Sequence, residues 1–175
     1  QEDMERKRLV KKITIWVIIL FAIGGSGYGL YYLASQPEKP RPGQAFENQG
    51  RTHIQPSDSH PAYNSNPPTS GWHWGQPANW GVYDKPLVDE QAIHNLEHGG
   101  IWISYKDIDE ETKTNLENIA KANSGSVIMF PRDANDVKII LASWTRLEKL
   151  DTYDEAKIRE FIRNNKNKSP EPLAR

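Results

Sequence analysis

The 175-residue chain carries 22 Lys and Arg against 23 Asp and Glu, a formal charge of −1 that excludes the broadly basic surface a general nucleic-acid binder needs. It has no cysteine, which excludes disulfides, thiolate metal sites, iron–sulfur clusters and a cysteine nucleophile. The mean hydropathy is −0.75 despite one long apolar stretch, so the rest of the chain is strongly polar.

Residues 1–12 hold Arg6, Lys7, Arg8, Lys11 and Lys12 and carry a local charge of +2, while the remainder sums to −3. From Ile13 to Leu33, 21 residues pass without a charge. As a helix this stretch spans roughly 31 Å, about the hydrocarbon thickness of a bilayer. Trp16 stands near one end and Tyr31 and Tyr32 at the other, as an interfacial aromatic belt would. A signal peptide has an apolar core of only about 7–15 residues and a small-x-small cleavage site. This run is longer, and Tyr32 with Ala34 makes a poor site, so an uncleaved anchor over 13–33 is expected. The basic cluster before it places residues 1–12 in the cytoplasm and the chain from about residue 36 outside, Glu38 being the first charge beyond the span. Gly25 and Gly29 form a GxxxG pair on which a partner helix of a membrane complex can pack closely, although glycine is frequent in such spans without that role.

Residues 34–50 read as a linker, in which Pro37, Pro40 and Pro42 make a stiff, extended spacer. Residues 51–165 read as an extracytoplasmic α+β domain, and 166–175 as a polar tail. The run 63–83, YNSNPPTSGWHWGQPANWGVY, is too rich in Pro, Gly, Asn and Ser for long elements. Its three tryptophans and two tyrosines are too many large rings for a flexible linker, so an ordered loop packed on the domain is expected.

Asp89–His98 reads as a short helix stopped by Gly99 and Gly100. Ile101–Tyr105 reads as a strand, and Asp107 as the start of a helix with Glu110 completing an acidic capping box. Leu116, Ile119 and Ala120 form that helix's apolar stripe. Val127–Phe130 and Val137–Trp144 read as strands with a turn at 133–136. Thr152 with Glu155 suggests a second capping box, opening a helix to about Asn164 that buries Ile158, Phe161 and Ile162. This order predicts an α+β fold: a small antiparallel sheet with helices on one face and a long ordered aromatic loop, preceded by one transmembrane helix.

All five histidines lie between positions 53 and 98. His94 and His98, four apart in HNLEH, project from one helix face at a spacing that suits one metal ion. His73 sits between Trp72 and Trp74, and His53 precedes His60 in THIQPSDSH. Imidazoles with no thiolate or thioether suit Zn²⁺ or Cu²⁺ rather than Cu⁺. The candidate ligands are His53, His73, His94 and His98, with Glu97 as a partner that holds an imidazole N–H. His60 has no such pattern. A hydrogen-bonded network without metal is the simpler reading of the same residues. HNLEH also fits the H-x-x-E-H pattern of inverted zinc peptidases, with Glu97 as base. Those enzymes need a long helix and a distant acidic ligand, whereas Gly99-Gly100 stops this helix at once.

The run YNSNPPTSGWHWG, then GVYD, then HNLEHGG before a strand resembles the bacterial domain-of-unknown-function family 3105. The resemblance covers about residues 50–165. It rests on His53, Tyr63 to Gly71, His73, Gly81 to Asp84 and His94 to Gly100, and His60 lies outside the pattern. Trp72 and Trp74 stand where the family pattern has a proline and a tyrosine. The resemblance implies an N-terminal span or signal before the domain and supplies no activity. The reading that results is a membrane-anchored extracytoplasmic protein binding copper or zinc, for metal handling or as a structural site. The alternative is a non-enzymatic accessory subunit of a larger membrane complex, without metal, and an enzyme is the least favoured class.

Overall fold

A computed structural model describes residues 2–36 and 40–174; Pro37 and Glu38 of the spacer lie outside them. The chain divides into two compact units, residues 1–40 and 41–175. The first holds one helix, α1 (Glu2–Ala34), with no buried residue and apolar side chains on every side. It is long and apolar enough to cross a bilayer.

The second unit contains β1 (Gln44–Ala45), β2 (His53–Ile54), β3 (His73–Trp74), β4 (Gly81–Val82), α2 (Asp89–Glu97), β5 (Ile101–Tyr105), α3 (Glu110–Ala122), β6 (Val127–Pro131), β7 (Ile139–Ser143), β8 (Arg146–Leu150) and α4 (Glu155–Asn165). Six strands form one sheet in the order β1-β8-β7-β5-β6-β4, and β2 and β3 form a separate parallel pair. The fold is α+β, as expected, but the sheet is mixed rather than antiparallel. β6 runs parallel to both β4 and β5, while β7 runs antiparallel to β5 and β8. The cause is α3, which carries the chain back along the sheet so that β6 runs in the direction of β5.

The helices also occupy both faces rather than one. Ile101, Ile103, Val127, Met129, Ile139 and Leu141 face Leu116 and Ile119 of α3 and Ile158, Phe161 and Ile162 of α4. Trp102, Ile128, Phe130, Ala142 and Trp144 face Ala92, Ile93 and Leu96 of α2, with Tyr63, Trp80 and Tyr83 of the aromatic loop packed alongside. The composition of the strands accounts for this. IWISY and IILAS are buried at every position, and a strand buried on both faces reads as a continuous apolar run rather than an alternation.

Two helix starts shift inward. Asp107 has a positive φ of 49°, which no helix accommodates, so α3 opens instead with Asp109, whose carboxylate accepts from Thr112 N–H at 2.7 Å. In α4 the cap is Asp154, accepting from Lys157 N–H at 3.0 Å, rather than Thr152. Strand β8 has no counterpart in the sequence reading. Its buried residues, Leu147 and Leu150, are three apart and so lack the period of two that marks a strand.

Two measurements check this architecture on the full chain in mild detergent. Phe161 is fully buried between α4 and the sheet, so Phe161→Ala should cost about 3–5 kcal/mol in urea unfolding followed by tryptophan fluorescence. The Asp109 carboxyl titrates below its ordinary 3.8, chiefly because Thr112 N–H bonds its charged form. Its stabilisation is therefore present above pH 3.8 and lost as pH falls through the folded value. Asn caps nearly as well without titrating, so the stability gap between wild type and Asp109→Asn should close in acid; a gap that stays constant with pH would refute this role for the cap.

Candidate functional site

The site is built on the last turn of α2, where Ala92 to Glu97 are all buried, among them the polar His94, Asn95 and Glu97. Two features fix that turn. Asn95 clamps the aromatic loop, accepting from Ala78 N–H at 2.9 Å and donating to Ala78 C=O at 2.9 Å. Gly100 then lets the chain leave the helix beneath Trp80, because a Cβ there would overlap the indole ring and come within 2.8 Å of the Asn95 carbonyl.

The other side of the site is the β2–β3 pair, in which His53 stands directly opposite His73. Gln49 ties this irregular segment together. Its backbone N–H bonds the Ser70 hydroxyl at 3.0 Å, and its side chain bonds Ala62 C=O and Asn64 N–H at 2.9 and 2.8 Å. Ser70 is fully buried in that role.

These elements bring one ligand atom from each of His53, His73, His94 and Glu97 to within 4.8 Å of one another. One Glu97 oxygen lies 3.0 Å from His73 Nε2 and 3.3 Å from His53 Nε2. The imidazoles pack ring to ring, with centroids 4.9 Å apart for His53 and His73, 4.9 Å for His53 and His94, and 5.2 Å for His73 and His94.

The backbone decides how these rings are protonated. His73 Nδ1 lies 2.7 Å from the Gly71 carbonyl, and His94 Nδ1 lies 2.6 Å from the Trp74 carbonyl. A carbonyl only accepts, so Nδ1 carries the proton in both rings, and in the neutral imidazole Nε2 presents a bare lone pair. Burial, reinforced by the three neighbouring histidines, holds the His94 pKa below its ordinary 6.5 against the opposing pull of the Trp74 carbonyl. Its neutral, ligating form therefore prevails at pH 7. His73 Nε2 and Glu97 Oε2 are then two acceptors 3.0 Å apart. Such a contact is favourable only across a shared cation, either a proton or a metal ion.

Of the four predicted histidines, His53, His73 and His94 belong to this group. His98 borders it, with its Nε2 at 3.1 Å from His94 Nε2. Glu97, expected to hold one imidazole, touches two and contributes an atom to the group. His60 sits apart, against Glu90 at 3.1 Å and the Tyr63 ring. Trp72, flanking His73 in sequence, is exposed, whereas Trp74 reaches the site through its carbonyl.

The sequence reading did not single out Arg51 or Glu171. The Arg51 guanidinium lies 3.7 Å from Glu97 and 2.9 Å from Glu171. Glu171 arrives on the C-terminal segment, polar by composition, which folds back along α2 through Asn167 N–H to Gly99 C=O at 2.9 Å and Glu171 N–H to Glu97 C=O at 3.1 Å. The one local signal for that return was Gly99, whose φ of +85° and contact with Asn167 leave no room for a side chain.

The family described as "Protein of unknown function (DUF3105)" matches residues 53–175, more than half of the chain, and the chain belongs to that family. The matched region runs past the motifs to include the C-terminal segment and Glu171. No curated protein and no solved structure matches the chain.

Asn95 is the joint between helix and loop. Asn95→Ala leaves the Ala78 N–H and C=O unpaired in a buried position and should cost about 2–4 kcal/mol in urea unfolding. A cost below about 0.5 kcal/mol would show that water replaces the clamp.

Proposed function

We propose that this chain is a membrane-anchored metal-binding protein holding one divalent ion, copper or zinc, on His53, His73, His94 and Glu97. The observation that carries the reading is the gathering of three imidazoles, two of them with Nδ1 fixed by a carbonyl, and one carboxylate with ligand atoms within 4.8 Å. Donors on a tetrahedral ion with bonds of about 2.05 Å stand about 3.3 Å apart. The Glu97 oxygen stands 3.0 and 3.3 Å from two of the imidazole nitrogens. Three nitrogens and one oxygen, with no sulfur, suit Zn²⁺ or Cu²⁺. The Nδ1–H bonds to the Gly71 and Trp74 carbonyls are the outer support that ligating histidines ordinarily have. Glu97 takes the fourth place, rather than His98, because its oxygen faces two of the rings while His98 faces His94 alone.

Four protein donors leave no place for a substrate, which favours holding or passing on the ion over catalysis. Exposure separates handling from a sealed structural site. His73 and Glu97 are buried, but the His53 side chain is 54% exposed, so one ligand of the set meets solvent. A ligand that can swing away suits an ion that is taken up and released. Helix α1 serves as the anchor, its basic N-terminal end in the cytoplasm and the domain outside, in keeping with the charge asymmetry of the sequence. The metal-free subunit reading leaves the facing acceptors without a cation other than a shared proton, and Arg51 approaches the other Glu97 oxygen only at 3.7 Å.

The test is elemental analysis of the full chain, purified in detergent without a histidine-rich tag, beside His73→Ala/His94→Ala. About one copper or zinc per chain, absent from the variant, is expected. No metal in the wild type, and none taken up from Zn²⁺ or Cu²⁺ in titration, would overturn the proposal.

A further inference from the structure

His98 is the histidine that the four-atom group leaves over, and its surroundings are specific. Its ring stands edge-on to His94, 86° between planes and 4.6 Å between centroids. His94 Nε2 is an acceptor, because its other nitrogen is committed to Trp74, so His98 Nε2–H donates to it across 3.1 Å. The same His98 nitrogen lies 3.6 Å from Glu171 Oε2.

Glu171 is held there by several contacts. Leu173 and Ala174 N–H both bond the His98 carbonyl, at 3.0 and 2.9 Å. The Asn167 side chain grips Ala174 from both sides, at 2.8 and 3.0 Å. Arg51 takes the other oxygen, Glu171 Oε1, at 2.9 Å, which leaves Oε2 to face His98. The His98 and Glu171 side chains are 24% and 45% exposed, whereas His73 and Glu97 are closed off at 0% and 2%.

We propose that His98 and Glu171 form an outer binding position for a divalent cation, through which the ion reaches and leaves the inner group, with His94 as the ligand common to both. This rests on the inner group binding metal. The imidazole Nε2 of His94 has one lone pair, so it serves one ion at a time, and the two positions are alternatives rather than a two-metal centre. An incoming hydrated ion is drawn by the Glu171 carboxylate and binds its Oε2. It takes His98 on Nε2, the ring proton passing to Nδ1 through solvent. The bond to His94 Nε2 then forms as a bound water leaves. His53, His73 and Glu97 finally replace His98, Glu171 and the last bound water, and the proton between His73 and Glu97 passes to solvent. Each step exchanges one ligand bond for another, and no electron is transferred. Release follows the same path in reverse. The route offers a carboxylate at the surface, where the exposed His53 side chain presents an imidazole.

The experiment uses the full chain in detergent with Zn²⁺ as the probe. It compares wild type, His98→Gln, Glu171→Gln and the double variant, none of which alters the backbone groups that dock the C-terminal segment. Equilibrium titration gives stoichiometry and affinity; stopped-flow loading, and release to a chromophoric chelator, give the rates. The expected result is unchanged stoichiometry, affinity within about threefold, and loading and release both slowed by about tenfold in the double variant, since a lost path lowers both rates together. Unchanged rates would overturn the outer position. Loss of stoichiometry in His98→Gln would overturn it too, by placing His98 within the inner group. A wild type that takes up no Zn²⁺ would be a failure of the inner site itself, distinguishable from both, and the outer position would fall with it.

Discussion

The close approach of Trp80 to Gly100 is the constraint on which the rest of this domain depends. It ends α2 after nine residues, turns the chain directly into β5, and seats the aromatic loop on the sheet. Had the helix continued, His94, Glu97 and His98 would line an exposed helical face. Because it stops, they occupy a last turn that the β2–β3 pair meets from one side and the C-terminal segment meets from the other. Asn95 and Gly99 extend the same arrangement, one to Ala78 in the loop and one to Asn167 in the tail. Six residues of HNLEHGG thus have a traceable task, and only some of those tasks concern the histidines as ligands.

The sheet gives this arrangement its rigidity. Its central strands are apolar on both faces, which brings α3 and α4 to one side and α2 with the loop rings to the other. The site is therefore carried by a helix that is itself part of a core. The loop has almost no regular structure, and its backbone groups are satisfied one at a time by Gln49, Ser70, Tyr63 and Asn95. Side chains thus supplement the short β2–β3 ladder, in which Gly71 N–H bonds Gly50 C=O and His73 N–H bonds Thr52 C=O, at 3.0 Å each, and which sets the two imidazoles opposite each other.

The chemistry follows from the carbonyls as much as from the histidines. Gly71 and Trp74 oxygens set the tautomers of His73 and His94, which leaves His73 Nε2 against the Glu97 carboxylate and His94 Nε2 against His98. The His94 pKa, lowered chiefly by burial, keeps the ring in the form a cation needs. Arg51 and Glu171 lie around this centre with a complementary charge pattern.

The sequence by itself determined what local pattern can carry. The charge-free run of 21 residues gives the apolar helix, period and punctuation give α2, β5 to β7 and the buried faces of α3 and α4, and the clustering of histidines points to the site. Only the tertiary structure decided the rest. β8 escaped because its buried leucines lack the period of two, and β1 to β4 because two-residue strands exist only through their partners. The parallel course of β6 and the second covered face depend on where α3 and the loop pack, which no single segment records. The approach of Glu97 to His53, and the arrival of Glu171 beside Arg51, bring together residues 44 and 120 positions apart. Contacts at such separations are set by how the whole core closes, and neither hydropathy nor spacing registers that closure.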